Sequence, residues 1–221
     1  MSGDLVARLR ALDACAVSDA LERHGLPPAV VGLVQIGAAA AIAGRAVTVE
    51  LGPVTPEPSS RHLGTAAIDA SGPGDVIVVA NDGRTDCAAW GGLLSQATAL
   101  RQIEGVVIDG ACRDVPEALE SGLPVYARAP VAVTARGRVV ERSWGEPIPV
   151  AGTTVRPGDL VFADASGVAF IPQSAAQQVI STAEEIAARE LSMGAALRDG
   201  LPVSEVMGTS YETLLARREQ G

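Results

Sequence analysis

The stretch Gly91–Asp114, GGLLSQATALRQIEGVVIDGACRD, decides the fold. Leu93, Leu94, Ala97, Leu100 and Ile103 recur at helical spacing, and Gly105 stops the run. Val106–Ile108 is short, apolar and β-branched, which predicts a buried strand; the turn DGACR follows, and Asp114 opens another helix. Upstream, Val76–Ala80 (VIVVA) predicts a second buried strand, and the polar loop Asn81–Trp90 follows it. Strand and helix alternate, so the fold class is α/β with a parallel sheet. The loops at 81–92 and 109–114 then leave the same edge of that sheet, the carboxyl edge where ligands bind in open α/β folds. The first loop brings free backbone N–H groups at a helix start, which suit an anion. The second brings a guanidinium beside a carboxylate. Together they suit an acidic ligand held with a cation.

Composition narrows the chemistry. The chain has 221 residues and a formal net charge of −9. That acidity opposes direct nucleic-acid binding, which needs a basic face. All seventeen basic residues are arginine and none is lysine. A Schiff-base enzyme, a pyridoxal site and a Walker-type phosphate loop each need a lysine, so all three are excluded. With only His24 and His62 present, a three-histidine zinc site is excluded too. Three unpaired cysteines, Cys15, Cys87 and Cys112, argue against a disulfide framework or a structural zinc site. No GxSxG elbow points to a serine hydrolase. Carboxylates, arginines, backbone amides and a hard oxygen-loving metal remain. Apolar runs are too short to span a bilayer, and the N-terminus lacks an apolar leader with a cleavage site, so the expected location is cytoplasmic, away from membranes.

The rest of the chain follows the same grammar. Leu5–Arg23 predicts a helix with an interior break, restarted near Ser18 and ended by Gly25 and Pro27-Pro28. Gly44–Leu51 alternates as a strand, Val54–Ser60 is loop, and Ser60–Ala70 predicts a helix with His62 near its first turn. Ser71-Gly-Pro-Gly-Asp75 and Arg156-Pro-Gly-Asp159 are similar turns that each feed an apolar strand. Pro124–Ala127, Val131–Ala135, Val139–Arg142 and Gly167–Pro172 read as further short strands. Helices are predicted over Ser174–Arg198 and Ser204–Arg218, and no linker divides the chain. In the first of these the apolar stripe Val179, Ala183, Ile186, Met193, Leu197 is interrupted by Glu190, on the side the period assigns to burial. Glu190 is therefore either the edge of a solvated stripe or a carboxylate delivered to a site, its own or a neighbouring subunit's.

Each site residue also has an ordinary explanation. Asp114-Val-Pro-Glu117 matches a capping box, which predicts that Asp114 caps its own helix. Arg113 alone reads as a surface arginine, Gly91-Gly92 as a flexible loop end and Asp109 as a turn former. Cys112 reads as packed, and His62 as a satisfied surface or core histidine.

Taken together the residues form a pattern. Gly91-Gly-Leu-Leu94 followed by Asp109-Gly-Ala-Cys-Arg-Asp114 resembles the family of 4-hydroxy-4-methyl-2-oxoglutarate aldolases and RraA-like regulators of ribonuclease E, some of whose members carry a methyltransferase label. Ala16-Val-Ser-Asp-Ala-Leu21, Gly72-Pro-Gly-Asp75 and Asp164-Ala-Ser-Gly-Val168 extend the resemblance over most of the chain. It implies a single swivelling β/β/α domain over residues 1–221, with C-terminal helices over about 174–218, assembled as a homotrimer or homohexamer with sites between subunits. It also implies a metal-dependent lyase, an aldolase or oxaloacetate decarboxylase, that releases pyruvate from a small 2-oxo acid. In that picture Gly91, Gly92, Leu93 and Leu94 hold the pyruvate carboxylate, and Arg113 contacts the keto-acid oxygens. Asp114 holds Mg²⁺ or Mn²⁺, with Glu190 of another subunit beside it. The alternative that the resemblance carries is a non-catalytic regulator that binds ribonuclease E. One position departs from the pattern: aldolase members often have an acid where this chain has Gly92.

Overall fold

A computed structural model of the protein describes residues 2–55 and 62–208. Two helices, α1 (Ser2–Leu9) and α2 (Ala14–Arg23), precede strands β1 (Val34–Gln35) and β2 (Ile42–Pro53). Helix α3 (Thr65–Ala70) leads into β3 (Asp75–Ala80) and β4 (Ala88–Trp90). Then come α4 (Gly92–Leu100), β5 (Gly105–Cys112), α5 (Val115–Glu120) and β6 (Val125–Pro130). Strands β7 (Val139–Trp144), β8 (Ile148–Val150), β9 (Thr153–Val155), β10 (Leu160–Asp164) and β11 (Gly167–Ile171) follow. Helices α6 (Ala176–Arg198) and α7 (Val203–Val206) end the described chain, in which no helix is long and apolar enough to cross a membrane.

The sheet runs β1-β6-β5-β3-β2-β10-β11, with β4 added beside β5 and β7 beside β2. Strands β6, β5, β3 and β2 are mutually parallel, while β10 joins β2 antiparallel. A bridge from Val30 to Val168 brings the two ends of this order together, so the sheet is a nearly closed barrel. This is the α/β architecture, a swivelling β/β/α fold with a C-terminal helix, that the sequence implies.

Alternation within β3 shows why VIVVA is apolar throughout. Val76, Val78 and Ala80 face the barrel interior with Val107, Tyr126 and Val161. Ile77 and Val79 face outward, into the layer made with α3, α4 and α5. Both faces are covered, so neither can be polar, and each fully buried valine or isoleucine contributes roughly 1.5–3 kcal/mol. A third cluster packs α1, α2 and α6 on β10 and β11, around Phe162, Ile171 and Ile180.

Several expectations need correction. The break in the N-terminal helix is capped by Asp13, whose carboxylate accepts the Ala16 N–H; Ser18 sits inside α2 and accepts the Ala29 N–H instead. Residues 131–135 form no strand; Pro130 closes β6, and the segment makes only isolated backbone bonds, such as the one Ala88 N–H donates to Val133. Helix α3 starts at Thr65, leaving His62 in the loop before it, and residues 60 and 61 lie outside the described chain. Of the predicted helix over Ser204–Arg218 only α7 is described, and residues 209–218 lie outside it. The hairpin β8–β9 was not expected from the sequence; Ile148, Val150 and Val155 close the barrel interior.

Asp109 is no turn former. Strand β5 continues through it to Cys112, and its side chain is 6% exposed. Its carboxylate accepts a hydrogen bond from Arg128 Nε on β6 and another, at 2.7 Å, from the Ala151 N–H at the tip of the β8–β9 hairpin. One buried acid therefore ties three elements together. Removing one partner of such a pair strands the other, typically at about 3–5 kcal/mol. Asp109→Ala is expected to lower the urea-unfolding free energy by about 3 kcal/mol, and Arg128→Met in the same chain to recover part of that loss. A change below about 0.5 kcal/mol would remove this role.

Candidate functional site

The site forms where β4 and β5 end side by side. They run parallel, Trp90 beside Cys112, and the Arg113 N–H donates to the Trp90 carbonyl at 2.9 Å. Each strand then turns directly into a helix, so the starts of α4 and α5 are neighbours. Trp90 is fixed beneath them by an indole N–H donated to Ser95 Oγ and by its ring lying against Gly64.

Asp114 does not cap its own helix. Its backbone is left-handed (φ 58°), and no hydrogen bond runs from its side chain to the start of α5. The carboxylate turns to the neighbouring helix instead: Oδ2 accepts the Gly92 N–H of α4 at 3.0 Å. Arg113 Nε donates to both carboxylate oxygens, at 3.0 and 3.1 Å. The capping-box spacing is thus a false lead, and a carboxylate is freed from capping for the space between two helices.

Two glycines make this approach possible. A Cβ on Gly91 would lie 3.1 Å from Asp114 Oδ2, and one on Gly92 would lie 3.0 Å from the Cβ atoms of both Asp114 and Glu117. Gly91-Gly92 is therefore a close-packing requirement rather than a flexible loop end. Glu117 crowds the place where an acid at position 92 would project, so an acid there needs the Glu117 and Asp114 side chains to give by a few tenths of an ångström.

The groups facing outward are complementary in charge. The first turn of α4 leaves N–H groups without helical acceptors, and with Gly92 engaged by Asp114 those of Leu93 and Leu94 remain. Arg113 has only Nε engaged among the described residues. The Gly92 N–H first, and Arg113 second, hold the Asp114 carboxyl below the usual carboxylate range. Burial pushes the Cys112 thiol up to about 11, so it is packed and not a thiolate.

These groups open on a cavity of about 260 Å³. Gly91, Gly92, Leu93, Leu94, Arg113 and Asp114 form one wall; His62, Leu63, Thr134 and Arg136 form the other. The sequence pattern identifies the first wall. It misses Arg136, just past the segment 131–135 read as a strand, and leaves His62 as an ordinary histidine. Their lone signal is position, on loops facing the sheet's carboxyl edge. A larger cavity, about 440 Å³, opens at the barrel mouth. Its three cationic or buried acidic anchors are engaged, Arg84 with Asp86, Arg142 with the Pro53 carbonyl and Asp109 with Arg128, and Glu50 and Asp82 add negative charge that does not suit an acidic ligand.

Glu190 is not brought to this site within one chain. It lies on the exposed surface of α6, which packs on α1 and α2 on the other side of the fold. Partial desolvation first, then Asp13 and Asp19, push its carboxyl up. No group of three or more metal-ligating side chains occurs among the described residues. One carboxylate at the cavity, Asp114, fits a hard divalent ion that keeps most of its waters, and does not fit a zinc cage.

The RraA-like sequence profile, described as Aldolase/RraA, matches residues 14–170. The chain belongs to the RraA-like family. Among RraA-like relatives, a provisionally named 4-hydroxy-4-methyl-2-oxoglutarate aldolase of Halalkalibacterium halodurans is 29% identical over 202 residues, 90% of each protein. Protein DlpA of Legionella pneumophila is 29% identical over 89% of this chain, which spans 32% of DlpA. Among solved structures, an uncharacterized Pseudomonas syringae protein superposes with a TM-score of 0.84 at 28% identity, covering 93% of this chain and 98% of that one. RraAS2 of Streptomyces coelicolor, an unusual member of the RNase ES inhibitor RraA family, superposes with a TM-score of 0.75 at 26% identity, covering 85% and 94%. The family thus includes relatives named for carbon–carbon lyase activity and others named as regulators.

A carboxyl whose folded-state value is depressed adds stability above its unfolded value and loses it as pH falls through the folded one. Asp114→Asn is therefore expected to destabilise the protein at pH 7 by about 1 kcal/mol, low for charged hydrogen bonds because the side chain is 30% exposed. The gap between wild type and variant, read from urea midpoints, is expected to narrow below about pH 4, near the ordinary aspartate value. A pH-independent gap would contradict the pairing.

Proposed function

We propose that the chain is a divalent-metal-dependent lyase that cleaves small 2-oxo acids to pyruvate, by retro-aldol cleavage of 4-hydroxy-4-methyl-2-oxoglutarate-type substrates, by decarboxylation of oxaloacetate, or by both. The observation that carries the reading is the Arg113–Asp114 pair set against the open N-terminus of α4 on one wall of a small cavity.

In this reading the substrate carboxylate takes the Leu93 and Leu94 N–H groups, where the helix start favours an anion. The terminal nitrogens of Arg113 point to the 2-keto oxygen. When the bond beyond C3 breaks, its electron pair moves into the C2–C3 bond and charge collects on that oxygen, giving the enolate of pyruvate. Arg113 stabilises the charge as a fixed planar donor. Asp114 stays ionised, so it is poorly suited to carry the proton and well suited to hold a cation. Mg²⁺ or Mn²⁺ on Asp114 would supply Lewis-acid stabilisation of the same charge. In retro-aldol cleavage the 4-hydroxyl gives its proton to water in the open cavity as C4 becomes the carbonyl of the second keto acid, and the enolate takes a proton from water at C3 to give pyruvate. Decarboxylation uses the same electron sink and needs no hydroxyl deprotonation, so it is the less demanding reaction.

The exposed end of the last helices supports a homotrimer or homohexamer. Leu191 on α6 is 72% exposed and Val203 on α7 is 61% exposed, which suits cover by another copy. In such an assembly Glu190 would join Asp114 at a neighbour's site.

A second reading, a regulator that binds a basic region of ribonuclease E, is favoured by the net charge of −9 and by the likeness to RraAS2. Capture of ribonuclease E at low salt supports it, and no capture removes it. For the lyase, pyruvate release from oxaloacetate or 4-hydroxy-4-methyl-2-oxoglutarate is expected to require Mg²⁺ or Mn²⁺. Asp114→Ala is expected to abolish it, and Arg113→Gln to lower kcat/KM by about 10²–10³. Wild-type rates in both variants would end the lyase reading.

A further inference from the structure

The cavity at Arg113 does not end at its far wall. A neighbouring space of about 280 Å³ shares His62, Leu63, Thr134, Ala135 and Arg136 with it, so the two are parts of one groove. Along the first part, one carboxylate, Asp114, faces two guanidinium groups and His62. Arg113 is already paired with Asp114. In the second part Glu141 accepts the Gly64 N–H at 2.7 Å, so in the first part the cationic group facing the Arg113–Asp114 pair is Arg136, at the other wall.

Arg136 makes no side-chain hydrogen bond or ion pair among the described residues, and its loop is braced. Thr134 Oγ1 accepts the Arg136 N–H at 3.3 Å, and Arg138 Nη1 donates to the carbonyls of Thr134 and Arg136 at 3.4 and 3.3 Å. Gly137 (φ 72°) turns the chain just after it. An unpaired guanidinium is thus presented on a supported turn rather than on a loose loop. Leu63, Leu94 and Ala135 supply apolar lining between the groove's two cationic ends.

We propose that Arg136, assisted by His62, is a specificity-determining residue that binds the distal carboxylate of a dicarboxylic substrate. This rests on the reading of the Arg113 wall as a 2-oxo-acid site. The matching ligand has an acid at each end and a short, largely apolar middle. The part of the groove between the two walls, about 260 Å³, lies below the ~300–1,000 Å³ typical of drug-sized sites, so the span between the two acids is short. The near carboxylate takes the Leu93 and Leu94 N–H groups, and the planar guanidinium of Arg136 suits the far one because it can donate in a bidentate fork.

Calorimetric titration separates the two ends without relying on turnover. Pyruvate probes the Arg113 end alone; 2-oxoglutarate, which lacks the 4-hydroxyl needed for retro-aldol cleavage, probes both, with Mg²⁺ present throughout. Wild type is expected to bind 2-oxoglutarate at least tenfold more tightly than pyruvate. Arg136→Gln is expected to lose most of that preference while its pyruvate affinity stays within about twofold, and Arg136→Lys to retain part of it. Arg113→Gln is expected to weaken both ligands. If pyruvate binds but wild type shows no preference, or Arg136→Gln weakens both acids equally, the distal subsite is wrong and the 2-oxo-acid reading stands. If wild type binds neither acid, both fall together.

Discussion

The hydrogen bond from the Gly92 N–H to Asp114 organises the site. It joins two helices that follow adjacent parallel strands, and it draws the carboxylate away from the helix that Asp114 itself begins. A left-handed aspartate is an uncommon backbone state. Here it faces the carboxylate toward α4 while the Arg113 guanidinium closes on it from the other side. Glycines at 91 and 92 suit this approach, because a side chain there would press on that carboxylate or on Glu117. Charge, conformation and packing converge on one small volume.

That volume depends on the sheet beneath it. Parallel β4 and β5 end side by side, Trp90 paired with Cys112 after a local shift in register, which keeps the amide-bearing start of one helix beside the Arg113-Asp114 pair of the next. The barrel beneath them is cross-linked, with Asp109 joining β5, β6 and the β8–β9 hairpin. The facing wall is different in kind. His62, Thr134 and Arg136 come from irregular loops, the part of a fold where specificity varies most readily on a fixed scaffold. A family holding both lyase-named and regulator-named relatives is consistent with a conserved architecture on which loop chemistry is altered.

Much of this was legible in the sequence, for identifiable reasons. The parallel strands and the helices between them announce themselves because burial on both faces demands unbroken β-branched runs, and helices impose their own period. GGLL and the Arg113-Asp114 pair are contiguous in sequence, so the near wall was legible too. What was not legible depended on long-range geometry. The capping box at Asp114 has the right spacing, yet tertiary packing turns the carboxylate elsewhere. Asp109 reads as a turn because it precedes glycine, but its partners, Arg128 and Ala151, are distant in sequence. Glu190 falls on an apolar stripe, but α6 has left the core by that turn, so the period no longer predicts burial. Residues 131–135 carry apolar side chains yet have no continuous partner strand. The β8–β9 hairpin is too short for alternation to show.

The most direct test is a crystal structure of the protein soaked with pyruvate and Mg²⁺. The account predicts the carboxylate on the Leu93 and Leu94 amides, the keto oxygen on Arg113, and the ion beside Asp114 with a largely water shell. Pyruvate bound at the barrel mouth among Arg84, Asn81 and Arg142, with the Asp114–Gly92 hydrogen bond undisturbed and no ion beside it, would contradict it.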